Sequence, residues 1–202
     1  RYDLLDRLEE TLDPTGRKTA YDYDKAGNVS AVTIGDDHTT TYTYDGNGNN
    51  LTRTNPLGET VTNTYDQMNR LVKETDAQGA ATTYTYDRTG RLATLTDARG
   101  GTTTYTYDPD GNLTSLTDGE GRSIRYAYDP SGRLTEATAG IGGVENRNTY
   151  VYDTLGNLTE TTDGNGNKTT YTYDLLSNPL TRTNELGAVS YTHLRAHETR
   201  SN

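Results

Sequence analysis

Cysteine, phenylalanine and tryptophan are absent from the 202 residues, and methionine occurs once, as Met68. Without cysteine there are no disulfide staples and no thiolate metal sites, and the redox compartment stays open. Only 30% of the chain is apolar, so the material for a compact aliphatic core is lacking. No apolar run approaches the ~18 residues that would span a bilayer as a helix, and no signal-peptide pattern opens the chain. Basic residues number 19 against 29 acidic ones, a net charge of −10, and Lys and Arg are scattered rather than clustered. That distribution argues against nucleic acid as a partner. Low apolar content and acidic charge would suit a disordered chain, but 17 tyrosines and abundant threonine, both strand formers, do not.

What is present is a ruler. Tyr-Asp recurs at Tyr2-Asp3, Tyr23-Asp24, Tyr44-Asp45, Tyr65-Asp66, Tyr86-Asp87, Tyr107-Asp108, Tyr128-Asp129, Tyr152-Asp153 and Tyr173-Asp174. Seven of the eight steps are 21 residues and one is 24, and sixteen of the 17 tyrosines lie on the repeat. A fixed period of this length marks a repeat architecture in which each unit stacks on its neighbours. The chain opens with Arg1 inside a repeat and reads as an internal stretch of a longer array.

Within a unit, strict alternation puts Tyr105 and Tyr107 on one strand face and Thr104 and Thr106 on the other. Asp108-Pro109-Asp110-Gly111 is turn chemistry, and Leu113 opens a second strand that turns again at Gly121. Four residues after the repeat tyrosine stands Gly27, Gly48, Asn69, Gly90, Gly111, Gly132 or Gly156, which predicts a left-handed backbone there, with Asp6 and Ser177 departing at the two ends. The second turn carries Gly16, Gly58, Gly79, Gly100, Gly121, Gly166 and Gly187, with Asp37 in the corresponding place of the second unit. Six residues after the tyrosine comes Leu8, Val29, Leu71, Leu92, Leu113, Leu134 or Leu158, a slot facing the tyrosines. Asn50 and Pro179 break it, and a one-residue bulge bringing in Leu51 and Leu180 would restore it. The three extra residues of the long unit, in Ala139–Glu145, read as one extended, mobile turn. The expected fold is therefore all-β, a tandem array of 21-residue β-hairpins.

The pattern Tyr-Asp-x-x-Gly-(Asn/Arg)-Leu-Thr, then Thr-Asp-x-x-Gly and Thr-Thr-Tyr-x-Tyr-Asp, resembles the YD repeat of the Rhs family, as in Tyr86 through Gly100. The likeness covers residues 1 to 188. It implies an open, solenoid-like β-sheet spiralling into a hollow, secreted or surface-displayed shell. In bacterial Rhs and toxin-complex proteins such a shell encloses a C-terminal toxin, and in teneurins a similar one serves adhesion. The implied partners are the rest of the shell and an encapsulated cargo domain, with no cofactor. The family's toxin and self-cleaving aspartate motif have no counterpart in this sequence. Residues 189–202 break the repeat phase, and Val189–Thr199 resembles the translation of a sequencing-library adapter, so the array is expected to stop at residue 188.

The remaining constellations favour structure over chemistry. His193, His197 and Glu198 make half of a zinc pattern inside the out-of-phase tail. His38 stands alone beside Asp36 and Asp37, a solvated turn histidine. Asp45-Gly46-Asn47-Gly48-Asn49 and Asp163-Gly164-Asn165-Gly166-Asn167 echo the start of a calcium loop but lack its later glycine and closing glutamate, and side-chain bonds to the local backbone account for them. No metal or catalytic site is expected. Ser30, Ser115 and Ser131 have no histidine partner, Gly140–Gly143 lacks phosphate-loop spacing, and the pair Asp87 and Asp97 repeats from unit to unit where an active site would be singular. Asn28-Val29-Ser30, Asn112-Leu113-Thr114 and Asn157-Leu158-Thr159 match the glycan-acceptor pattern only because the repeat consensus contains it. Two functions then remain, a wall segment without catalysis and a surface whose tyrosines bind carbohydrate or a partner. Burial of Tyr84, Tyr86, Tyr105 and Tyr107 would favour the wall, and exposure the binding surface.

Overall fold

The computed structural model describes residues 1–187 and 189–191. The chain divides into two compact units, Arg1–Thr102 and Thr103–Asn202. The first carries β1 (Glu10–Leu12), β2 (Lys18–Tyr23), β3 (Val29–Ile34), β4 (His38–Tyr44), β5 (Asn50–Thr54), β6 (Thr60–Tyr65), β7 (Leu71–Thr75), β8 (Ala81–Tyr86) and β9 (Leu92–Thr96), each antiparallel to the next. The boundary falls at the first residue of β10 (Thr102–Tyr107). Beyond it run β11 (Leu113–Thr117), β12 (Ser123–Tyr128), β13 (Leu134–Ile141), β14 (Val144–Tyr152), β15 (Leu158–Thr162), β16 (Lys168–Tyr173), β17 (Pro179–Asn184) and β18 (Val189–Tyr191), again antiparallel in succession from β10. No helix occurs among the described residues. The all-β hairpin array expected from the period is what the backbone forms.

The turn after each repeat tyrosine closes on its own aspartate. In the Asp129 turn, Asp129 N donates to Arg133 O at 2.9 Å and Gly132 N to Asp129 O at 2.9 Å. Asp129 Oδ1 meanwhile accepts the amides of Ser131 (2.9 Å) and Arg133 (3.0 Å). The closure requires a positive φ at the fourth position. Gly111 has φ +97°, and Asp6, Asn69 and Ser177 adopt +60°, +61° and +63°. The end units thus change the residue but keep the backbone, since a short polar side chain tolerates the left-handed region better than a branched one. The Thr-Asp turn has the same bonding. Asp118 N donates to Arg122 O and Gly121 N to Asp118 O, both at 3.0 Å, while Asp118 Oδ1 accepts from Glu120 N and Arg122 N. Asn55 and Asn184 start such turns with a carboxamide oxygen in the same role.

Three expectations need correction. The second unit closes differently, with the positive φ at Gly35 (+70°) rather than at Asp37, because β3 and β4 run on until Ile34 pairs with His38. The long unit has no extended loop. Its extra residues lengthen β13 and β14 until Ile141 pairs with Val144, leaving only Gly142 (+57°) and Gly143 (+84°) to turn. Positive φ at both central residues is the hairpin turn whose twist matches the flanking strands, and adjacent glycines adopt it without strain. The third correction concerns the bulge. A register shift stands in every ladder between a tyrosine strand and its successor, from β2–β3 to β16–β17. The slot residue always pairs with the repeat tyrosine, and the following residue is the extra one. Asn50 and Pro179 therefore occupy the slot opposite Tyr44 and Tyr173, while Leu51 and Leu180 are bulged like Ala93 or Thr114 elsewhere.

This bulge explains a spacing that alternation forbids. Leu92 pairs with Tyr86 and Leu95 with Tyr84, as Leu113 pairs with Tyr107 and Leu116 with Tyr105. Two apolar residues three apart share the tyrosine face because one residue between them has been inserted into the ladder. The opposite face is bound by hydroxyl pairs, among them Thr43 with Thr52 (2.6 Å), Thr85 with Thr94 (2.7 Å) and Thr172 with Thr181 (2.6 Å). Among the described residues no apolar side chain is fully buried, and Thr138 is the buried polar one. Half-buried cross-strand pairs take the place of a core.

The ladder continues past residue 188, since Val189–Tyr191 pairs with β17 from Thr181 to Thr183. His193, His197 and Glu198 lie outside the described residues.

Gly111→Val is expected to destabilise the protein by about 1–3 kcal/mol, with Gly111→Asn milder and Thr104→Ser, on the exposed face, nearly neutral. Thermal melts of the three variants check the order, and equal shifts for Val and Ser would refute this account of the turn.

Candidate functional site

The repeat tyrosine and aspartate do different jobs on either side of one strand end. Tyr23 Oη donates to Leu8 O at 2.7 Å, Tyr44 to Val29 O at 2.9 Å, Tyr65 to Asn50 O at 3.0 Å and Tyr86 to Leu71 O at 2.7 Å. In the second compact unit, Tyr128 donates to Leu113 O (3.0 Å), Tyr152 to Leu134 O (2.9 Å) and Tyr173 to Leu158 O (2.9 Å). Every acceptor is the slot residue of the preceding repeat, 15 residues back, or 18 across the long unit. That residue stands at the bulge, where the ladder is locally disrupted and a carbonyl can turn to a side-chain donor. Tyr107 stands opposite Leu113 at the bulge of its own unit. Within each compact unit these tyrosines form a seam, pinning one hairpin to the one before.

The aspartate builds the turn, and its second oxygen takes the residue four positions on. Asp24, Asp45, Asp108, Asp153 and Asp174 Oδ2 accept from Asn28, Asn49, Asn112, Asn157 and Asn178 Nδ2 at 2.8–3.0 Å. Where that residue is arginine, Asp66, Asp87 and Asp129 accept its Nε at 2.6–2.7 Å. Arginine does something further. The guanidinium of Arg70 lies 4.5 Å from the ring centre of Tyr86, that of Arg7 4.3 Å from Tyr23 and that of Arg133 4.8 Å from Tyr152. One side chain thus closes its own turn and caps the next repeat's tyrosine, a cation over the negative face of a ring. The Asn/Arg alternation is visible in the sequence, but its purpose is not. The slot carbonyl was missed altogether, because a main-chain acceptor leaves no trace in residue identity.

Hydrogen bonds set the acidity of these carboxyls. The side chain four residues on holds Asp24, Asp45, Asp66, Asp108, Asp153 and Asp174 below the usual carboxylate range. For Asp129 the main contribution is the Arg133 amide. Burial raises the Tyr44 and Tyr128 phenols. The two calcium-like loops are ordinary members of this turn class. Asp45 Oδ1 accepts Asn47 N and Asn49 N, and Asp163 Oδ1 accepts Asn165 N and Asn167 N, so the oxygens face amides. His38 Nδ1 sits 2.8 Å from Asp37 Oδ1, with both side chains largely exposed.

Tyr84, Tyr86, Tyr105 and Tyr107 are all half-buried, neither sealed in a ladder nor set out as an exposed stripe. The hydroxyls of Tyr23, Tyr44, Tyr65, Tyr86, Tyr128, Tyr152 and Tyr173 are engaged. Among the described residues the tyrosines two residues earlier do not form that bond, and in one unit the earlier position is Asn63. Its Nδ2 donates to Asn50 O at 3.1 Å beside Tyr65, and its Oδ1 is buried without a partner among the described residues.

The profile of the teneurin YD-shell family matches residues 1–144, and that of the RHS repeat matches residues 152–189. No curated protein matches the sequence. Among solved structures, the chain is similar to the Tc holotoxin pore of Photorhabdus luminescens carrying a TccC3 mutation, at 19% identity over 89% of this chain and 11% of that one, with a TM-score of 0.73. It is similar also to a TcdB2–TccC3 crystal structure, at 18% identity over 92% of this chain and 12% of that one, with a TM-score of 0.74. At these identities the likeness is one of fold, and the chain spans 11–12% of the length of those proteins.

Tyr128→Phe should cost about 0.5–1.5 kcal/mol through the lost seam bond, and Tyr126→Phe markedly less, as read by denaturant unfolding. Identical losses would mean that ring packing alone matters. Acid should also unfold the array through the turn carboxyls. Their folded pKa values are lowered, so the stability they add is complete above the unfolded value of about 4 and is lost as pH falls through the folded values. Asp66→Asn, which keeps both amide bonds as Asn55 does, should flatten the melting temperature's dependence on pH in that window; an unchanged profile would show that Asp66 has no part in the acid transition.

Proposed function

Since the chain belongs to the teneurin YD-shell family, we propose that it is a length of shell wall, catalytically inert, which in a longer protein encloses a cargo segment such as a toxin domain outside or at the surface of the cell. What supports this reading is the fate of the Tyr-Asp pair. Of the pair repeated nine times, seven tyrosines join hairpin to hairpin and the aspartates close turns, with no unit set apart for chemistry among the described residues. The aspartates accept from neighbours in their own turns, and the repeat phenols donate to main-chain carbonyls, so the groups that would make a catalytic centre are engaged from repeat to repeat.

A wall of this kind has for partners the remaining repeats of its own protein and whatever they surround. Half-burial of both tyrosine rows gives a surface that is neither greasy nor densely charged, and threonine hydroxyl pairs cover the other face. Such faces would let a polypeptide lie alongside without a fixed docking site.

The test is limited proteolysis of the full-length gene product. Sequence C-terminal to the repeats should resist cleavage while the wall is intact and become cleavable when Asp87→Ala and Asp129→Ala open two turns. Equal digestion of both proteins, or a repeat array with no further domain to enclose, would overturn the proposal.

A further inference from the structure

The two Asp-Gly-Asn-Gly-Asn turns are the same five residues in the same bonding frame, one in each compact unit. In both, the aspartate oxygen accepts the middle asparagine's amide at 2.9 Å, the glycine after it donates to the aspartate carbonyl, and the last asparagine's Nδ2 reaches Oδ2. They differ at the middle carboxamide. Asn47 Nδ2 donates to Asn69 Oδ1 of the next repeat at 2.9 Å, a bond that Asn49 Nδ2 reinforces at 2.8 Å on the same oxygen. The side chain of Asn165, also exposed, has no such anchor among the described residues, and the space a Cβ would take on Gly166 is open to 4 Å. At Gly48 the same space is bordered by Asn28 Oδ1 at 3.8 Å.

We propose that Asn165 is a site of spontaneous succinimide formation and that Asn47, within the same local sequence, is shielded from it. The Gly166 amide nitrogen gives up its proton and attacks Asn165 Cγ. The new N–Cγ bond closes a five-membered ring as the Cγ–Nδ2 bond breaks, and the nitrogen leaves as ammonia with the proton. Water opens the ring at either carbonyl, giving aspartate or, by the other route, isoaspartate with an added methylene in the main chain. Glycine is the residue whose nitrogen is least screened for this attack. The Gly–Asp carbonyl bond restrains the nitrogen in both turns, at 3.1 Å for Gly48 and 2.9 Å for Gly166, so a faster reaction at Asn165 rests on its carboxamide. A free carboxamide can rotate its carbon toward the nitrogen, and one held by Asn69 must first break that bond. Isoaspartate at residue 165 would lengthen a turn that closes from Asp163 N to Asn167 O at 3.0 Å and add a negative charge beside Asp163.

The experiment is incubation of the folded chain at physiological temperature, with peptide mapping for the one-dalton gain and isoaspartyl methyltransferase labelling at each site. Asn165 should convert about five-fold faster than Asn47, the factor that one side-chain hydrogen bond of ordinary strength is worth. In urea the two should convert alike. Asn69→Gly, which keeps the positive φ while removing the acceptor, should raise the Asn47 rate toward that of Asn165. Equal rates in the folded chain, no conversion at Asn165, or a difference that survives in urea would each overturn the proposal.

Discussion

A phenol hydroxyl donating to a main-chain carbonyl one hairpin back is the bond on which the rest of this architecture depends. It needs three things in place together. The tyrosine must end its strand so that its ring reaches across, a bulge must disturb the preceding ladder so that the slot carbonyl is available, and a tight turn must come at once so that the ring is not dragged aside. The Asp-x-x-Gly turn supplies the last condition. Tyrosine and aspartate are adjacent because the seam and the turn must meet at one strand end.

With no fully buried apolar side chain among the described residues, cohesion comes from many modest contacts of one kind. The unit around Tyr86 contributes a phenol bond, a self-closed turn, a hydroxyl pair on the threonine face and half-buried cross-strand pairs such as Tyr84 with Leu95. Arg7, Arg70 and Arg133 each add a second link across the seam, tying the turn of one repeat to the ring of the next. Stability in such arrays is close to a sum of unit terms and nearest-neighbour terms. A substitution in one unit is therefore felt by its two neighbours and little beyond.

Much of this was legible in the sequence, and for a reason. Period, strand alternation and positive-φ positions are each written in residue type, since only certain side chains satisfy them. Asn69 at φ +61° is the clearest instance. The bulge was not legible. Ala93, Thr114 and Leu180 share no chemistry, because an inserted ladder residue asks for nothing from its side chain. Asn50 misled for the same reason, since the carbonyl it offers to Tyr65 is one any residue could offer. The long hairpin misled differently. Extra residues in a repeat usually swell a loop, but Gly142-Gly143 is so good a two-residue turn that the strands lengthen and the loop contracts.

The reach of the seam also bears on how the chain acquires its structure. An acceptor lying 15 residues before its donor, with turns that close within their own five residues, leaves few contacts waiting on distant sequence. Low sequence separation between partners favours fast folding. As the polypeptide leaves the ribosome, each new tyrosine finds its carbonyl already emerged and already displayed on a finished hairpin. The array can therefore be laid down vectorially, repeat upon repeat, with the growing edge serving as template for the hairpin next to emerge.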